Sequence, residues 1–212
     1  MRQRTIRNRE KIMEESGRFE AADPKSLKGN WTSLFGADVP LKLELGSGKG
    51  QFICGMAQRH PETGFIACEG AYNVYPRILQ KLSALELENV RVLGEYIADP
   101  CDYFEDGELS GIYLNFSDPW KKRYYKRRLT YRDKLLGYKR ICRPGSALEF
   151  KTDNDELFEF SLQELEAVGL RPDIVEYDLH NSALASGNIM TEYEEKFTIK
   201  GSKIKFLKLT FT

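Results

Sequence analysis

Residues 41–52, LKLELGSGKGQF, decide the fold. Leu41 to Leu45 form a short apolar run with Lys42 and Glu44 between the leucines, and Gln51–Arg59 places Phe52, Ile53 and Met56 at helical spacing. The glycines between them, Gly46, Gly48 and Gly50, occupy alternate positions. Strand, tight turn and helix therefore follow one another directly, and the turn lets a ligand approach the backbone. A dinucleotide fingerprint would need GxGxxG, but position 51 is Gln; a phosphate-binding Walker loop would need Gly-Lys-Ser/Thr, but Gly50 follows Lys49. An acid, Glu44, two residues before the first glycine suits a cation better than an anion. S-adenosylmethionine (SAM), with a positive centre and no phosphate, fits this loop; a ligand-free strand-to-helix turn is the plain alternative.

The same alternation continues downstream. Gly64–Cys68, Val90–Leu93, Ile112–Phe116, Ala147–Phe150 and Arg171–Leu179 read as strands. Val74–Leu87, Tyr131–Cys142 and Glu156–Ala167 read as helices, the second stopped by Arg143-Pro144-Gly145. Lys203–Thr212 alternates with period two, as a half-exposed strand does. Strands and helices in alternation imply an α/β fold with a mostly parallel sheet, right-handed crossovers and helices on both faces, finished by an antiparallel C-terminal strand. Residues 1–35, polar and broken by Asp23-Pro24 and Lys28-Gly29, read as a basic N-terminal arm preceding a domain over 36–212.

At 212 residues one core suffices, without disulfide or metal staples. The cysteines, at 54, 68, 101 and 142, form no CxxC, and His60 and His180 are the only histidines, so no metal site is expected. Neither a signal peptide nor an apolar run of the roughly 20 residues a membrane span needs is present, which points to the cytoplasm. Lysine plus arginine and aspartate plus glutamate balance at 32 each, but the charges are segregated. Arg2, Arg4, Arg7, Arg9 and Lys11 crowd the N-terminus, KKRYYKRR occupies 121–128, and the stretch from Glu86 to Asp118 is acidic. Local charge of this kind allows a nucleic-acid partner that zero net charge would have argued against.

Ligands of such sheets bind beyond the carboxyl ends of the strands, so the loops after Leu45, Cys68, Leu93 and Phe116 should line one crevice. Glu69, at the end of the second strand, can accept hydrogen bonds from both hydroxyls of a ribose. Asp118, in NFSDPW (115–120), can accept from the adjacent N1–H and N2–H₂ donors of guanine, with Trp120 as a flat face for a base. The basic run behind it suits phosphates, and Tyr124 and Tyr125 suit stacking.

LELGSGKGQF, NFSDPW with KKRYYKRRL, KTDN (151–154) and TEYEEKF (191–197), together with KGNW (28–31) and DLHNS (178–182), resemble the bacterial tRNA (guanine-N7)-methyltransferase family over nearly the whole chain. The resemblance implies a Rossmann-like class I SAM-dependent methyltransferase with a seven-stranded sheet. It implies tRNA as substrate, methylated at N7 of a variable-loop guanosine. Carried over by motif, Glu44, Glu69 and Asp118 match cofactor positions, with Asp118 also catalytic; Gly46 and Gly48 of the turn, and Tyr96, are read as further cofactor positions. Lys121, with Lys122 as the alternative lysine, Asp153, Thr191, Glu192, Tyr193 and Glu194 are the corresponding substrate positions. Two departures stand out: the basic segment is one residue shorter than the family's usual pattern, with Tyr where His is usual, and Gly94-Glu95-Tyr96-Ile97 replaces the usual adenine-side residue. Tyr96 by stacking, or Glu95 as an acceptor, could stand in its place. A methyltransferase of another substrate, or a tRNA-binding relative with impaired catalysis, is also compatible, and a monomer and a homodimer are equally so.

Overall fold

A computed structural model of the chain describes residues 9–36 and 39–212, so Arg2, Arg4 and Arg7 of the expected arm lie outside the described residues. Its centre is a seven-stranded sheet made of β1 (Leu41–Leu45), β2 (Gly64–Cys68), β3 (Val90–Leu93), β4 (Leu109–Asn115), β5 (Cys142–Thr152), β6 (Ile174–Glu176) and β7 (Lys205–Thr210). The strand order is β3-β2-β1-β4-β5-β7-β6, parallel from β3 to β5, with β7 antiparallel to both β5 and β6. The order reverses between β1 and β4, and the loops after these two strands open the crevice that such a switch point creates.

Alternation along each strand sorts the core into two layers. Leu43, Ile66, Leu114 and Phe150 pack with Leu135 and Tyr138 of α4 (Arg132–Ile141) and Leu157 and Phe158 of α5 (Asp155–Ala167). On the opposite face Phe65, Ala67 and Val92 pack with Phe52 and Ile53 of α2 (Gln51–Arg59) and Ile78 and Leu79 of α3 (Pro76–Ala84). Cys54, Cys68 and Cys142 are buried free thiols within these layers.

β1, β2, β3 and α2 have the bounds their sequence suggests. β4 and β5 run longer, because Leu109 pairs with Cys142 across a register shift and carries the ladder past Pro144-Gly145. β6 is reduced to three residues. Between β6 and β7 stands a short helix, α6 (Glu192–Thr198).

Residues 9–35 lie against the sheet's β3 edge and its faces. Helix α1 (Arg9–Ser16) packs on α3, Phe19 is fully buried, and Glu20 bridges in parallel to Val92. Trp31 is fully buried, stacks on Phe104 with ring centroids 5.3 Å apart, and donates its Nε1–H to the Tyr103 carbonyl at 2.8 Å. A buried aromatic pair of this kind contributes about 0.5–1.5 kcal/mol beyond its buried area. Among the described residues no helix is long and apolar enough to cross a membrane.

Candidate active site

The loop after β1 is tied across the end of β2 by Gly46 N–H and Ser47 N–H, which both donate to the Cys68 carbonyl at 2.9 and 3.0 Å. Gly46 and Gly48 take the left-handed conformation, at φ 82° and 56°, and nothing within 4 Å faces their missing Cβ atoms. A side chain at either position would be strained and would fill the space a ligand needs.

Glu69 closes that turn. One carboxylate oxygen accepts the Gly48 N–H at 2.9 Å and the other the Ala71 N–H at 2.9 Å, which leaves a lone pair on each for a diol. Burial holds its carboxyl above the usual carboxylate value, against those two backbone donors, and the nearby Asp118 charge adds to the rise. Tyr96 lies directly over Gly70, where an added Cβ would come within 2.4 Å of its Cγ. The close approach of residues 95–97 to the end of β2 therefore requires glycine there. The Tyr96 ring stays 76% exposed at the rim of the cleft.

The cleft has a volume of about 650 Å³ and is lined by Gly46, Glu69, Tyr96, Asn115, Ser117 and Asp118 among others. Glu44 does not line it; its carboxyl lies just beneath, 1% exposed. Asn115 donates its Nδ2–H to Glu44 Oε1 at 2.7 Å, while Glu44 Oε2 and Ser117 Oγ are buried with no hydrogen-bond partner. Burial pushes the Glu44 carboxyl up to about 7 in spite of Asn115. An orphaned buried carboxylate oxygen costs free energy that a cationic donor would recover. With Glu69 and Asp118 on one wall and Lys126, Arg127 and Lys134 on the other, the cleft suits a ligand that is cationic at the Glu44 end and carries a diol. These residues therefore fit SAM: Glu44 and Ser117 toward the ammonium, Glu69 toward the ribose.

Such a contact would favour ionised Glu44, so ligand binding would release a proton wherever Glu44 is protonated in the free enzyme. Affinity for S-adenosylhomocysteine, which keeps the ammonium, is expected to fall as the pH drops from 8 through about 7 to 6. Calorimetric titration at the two ends of that range measures the effect, and Glu44→Gln should abolish it. A wild-type affinity that does not change with pH would remove Glu44 from the ammonium site.

Phe116, which follows β4, adopts φ 51° while its N–H donates to the Lys151 carbonyl at 2.8 Å. This bend turns Ser117 and the exposed Asp118 into the cleft mouth. Beyond Pro119, a 3-10 turn over Lys122–Arg127 displays Lys121, Lys122, Arg123, Lys126 and Arg127 to solvent. Trp120 and Tyr124 meet edge-on at 6.3 Å, and the Arg127 guanidinium lies 5.1 Å from each ring. Arg128 departs from its neighbours. Only 2% exposed, it donates to the Trp120 carbonyl at 2.9 Å and to Glu156 at 2.7 Å. The sequence read it as one more phosphate ligand; the structure makes it the brace of the loop.

The remaining substrate positions divide similarly. Asp153 and Tyr193 meet, the Tyr193 hydroxyl donating to Asp153 at 3.3 Å, and the Tyr193 ring lies 5.0 Å from that of Phe116. Glu192 pairs with Lys81 of α3. Thr191 is the N-cap of α6 in a capping box with Glu194. Glu194 is 0% exposed and faces inward. Burial alone would raise its carboxyl, but the Lys151 ammonium and hydrogen bonds from His180 and Asn188 hold it below the usual carboxylate value. Composition and spacing did not single out Lys151 or Asn188, although the Thr-x-x-Glu of 191–194 is itself a helix-start signal.

A family model described as "Putative methyltransferase" matches residues 38–207. A tRNA (guanine-N(7)-)-methyltransferase of Geobacillus thermodenitrificans is 49% identical over 183 residues, covering 86% of this chain and 84% of the relative. One from Bacillus subtilis is 45% identical over 194 residues, covering 91% of each. Among solved structures, the 16S rRNA methyltransferase KamB superposes with a TM-score of 0.61 at 16% identity, over 82% of this chain and 88% of that one. A SAM-dependent methyltransferase from Aquifex aeolicus gives 0.53 at 17% identity, over 98% and 100%. At these identities the structural likeness speaks for the fold alone.

Proposed function

The chain belongs to the tRNA (guanine-N(7)-)-methyltransferase family, and from that premise we propose that it transfers the methyl group of SAM to N7 of a guanosine in the variable loop of tRNA. One observation carries the reading: a cleft whose Glu69 and underlying Glu44 suit a cationic cofactor with a diol, and a basic, aromatic loop suited to RNA, share Asp118 as their common wall. SAM supplies an electrophilic methyl group on a sulfonium. Glu69 and the Gly46–Gly48 turn hold and orient it, and Glu44, steadied by Asn115, takes the ammonium. Guanine N7 carries an unprotonated lone pair, so no general base is needed there, and the protein's work is alignment, which can supply about 7–11 kcal/mol of a barrier. Asp118 accepts from the far edge of the guanine, which becomes cationic as the new N–C bond forms. Tyr193 and Asp153 border that loop from the other side. Acting on tRNA, as monomer or homodimer, places the enzyme in the cytoplasm.

Mass spectrometry of nucleosides from tRNA incubated with enzyme and SAM should show 7-methylguanosine, and nuclease mapping should place it in the variable loop. Methylation elsewhere in the tRNA would correct the position; no 7-methylguanosine would overturn the reading.

The basic loop has its own expected result. Lys122 and Lys126 are exposed, so their removal leaves the Arg128 brace intact. Each phosphate contact adds a log–log salt slope of up to about −0.9 to binding, so Lys122→Ala/Lys126→Ala should make the slope shallower by roughly one to two units. tRNA binding measured across salt reads this directly, and slopes equal to wild type would remove both lysines from the interface. Arg128→Ala is a poor test, because it strips the loop of its support.

A further inference from the structure

We propose that Glu194, Lys151, His180 and Asn188 form a latch that holds α6 against the catalytic loop, so that these four are positioning residues rather than substrate contacts. The proposal rests on the preceding subsection for what that loop does. It also departs from the substrate role that the family resemblance implies for Glu194.

The carboxylate of Glu194 is saturated. Oε2 accepts from Lys151 Nζ at 2.7 Å and from the Thr191 N–H at 3.3 Å. Oε1 accepts from Asn188 Nδ2 at 2.6 Å and faces His180 Nε2 at 2.8 Å. An ionised carboxylate only accepts, so His180 Nε2 is the protonated nitrogen of that pair. With four donors and no exposed surface, Glu194 has no lone pair left for a nucleotide. Lys151 is equally occupied, donating also to Asn188 Oδ1 at 3.0 Å and the Ile189 carbonyl at 2.9 Å. The donors come from β5, from the segment before α6 and from the α6 N-terminus, so the carboxylate ties α6 directly to the sheet.

What the latch holds is next to the chemistry. The Lys151 carbonyl accepts the Phe116 N–H at the left-handed bend that aims Asp118. Tyr193, the neighbour of Glu194, stacks on Phe197 at 4.1 Å, and packs on Phe116 and Asp153 as described above. Release of Glu194 would thus free Tyr193 from Phe116 and loosen the bend from both sides. Rigidity here is useful because misplacing a reacting group by about an ångström can cost as much as 100-fold in rate.

The test uses the full chain with tRNA and SAM. Lys151→Met, Glu194→Gln and the double variant should each lower kcat roughly 10- to 30-fold, with KM for tRNA and affinity for S-adenosylhomocysteine within about threefold of wild type. The double should be no worse than the worse single, because one device is broken in both. Asn188→Ala, which removes a peripheral donor, is the milder variant should a buried charge left unpaired prevent folding; its kcat loss should be smaller and in the same direction. Amide exchange should accelerate across 192–198 in every variant while β1 and β4 stay protected. A raised KM with kcat preserved would make Glu194 a substrate contact and overturn the proposal. So would losses that multiply in the double, or unchanged exchange in α6. Absence of 7-methylguanosine with wild-type enzyme would strike the functional reading instead, and the exchange measurement would still judge the latch.

Discussion

Asp118→Asn is expected to lower the rate of 7-methylguanosine formation by roughly 100- to 1000-fold, the usual cost of losing one preorganised group aimed at developing charge. Guanine becomes cationic as N7 is alkylated, and an anion on its Watson–Crick edge is worth more in the transition state than in the ground state. Asparagine keeps one acceptor, but its amide donors oppose the N1–H and N2–H₂ donors that Asp118 would meet. The side chain is exposed and the turn is fixed by Pro119 and by the Phe116 N–H to Lys151 carbonyl bond, so the fold should be untouched. The thermal midpoint should therefore match wild type, and S-adenosylhomocysteine affinity should fall far less than the rate, although Asp118 lines the cofactor cleft beside Glu69. Single-turnover rates at saturating tRNA make the comparison. Turnover within a few-fold of wild type would reduce Asp118 to the cap of a strand.

Much of this site is legible in the sequence because its parts are local. Gly46, Gly48 and Glu69 follow from strands whose apolar runs are short and cleanly bounded, and the turn chemistry needs no distant partner. Asp118 is legible because a proline and an aromatic residue fix its surroundings. Arg128 and Glu194 are not, for the same reason as each other. Each is one charge in a run of like charges, and what separates it from its neighbours is a partner far along the chain: Glu156 for Arg128, Lys151 and His180 for Glu194. Charge patterning reads such residues as solvated because that is where isolated charges are stable; the pairing that allows burial is tertiary. Residues 9–35 carried an unused signal. Phe19 and Trp31 are large aromatics in a polar segment, and such residues seldom stay in solvent without a reason.

Glu69→Ala should weaken S-adenosylhomocysteine binding by about 2–4 kcal/mol, roughly 30- to 900-fold, if the two ribose hydroxyls are each lost as partners of a charged acceptor. Part of that loss has another source, because Glu69 also receives the Gly48 and Ala71 N–H groups and so shapes the glycine turn itself. The two contributions can be separated. An S-adenosylhomocysteine analogue lacking the 2′-hydroxyl should bind wild type more weakly than the parent does, yet bind Glu69→Ala almost as well as the parent does. The difference between those two ratios is the coupling of carboxylate to hydroxyl, free of the loop's own rearrangement. Binding of tRNA in the absence of cofactor should stay near wild type, because the basic loop and Trp120 do not depend on Glu69 for their geometry. If the analogue loses as much affinity against Glu69→Ala as against wild type, the carboxylate holds only the loop, and the ribose must be recognised by another group in the cleft, with Glu95 beside Tyr96 the first to test.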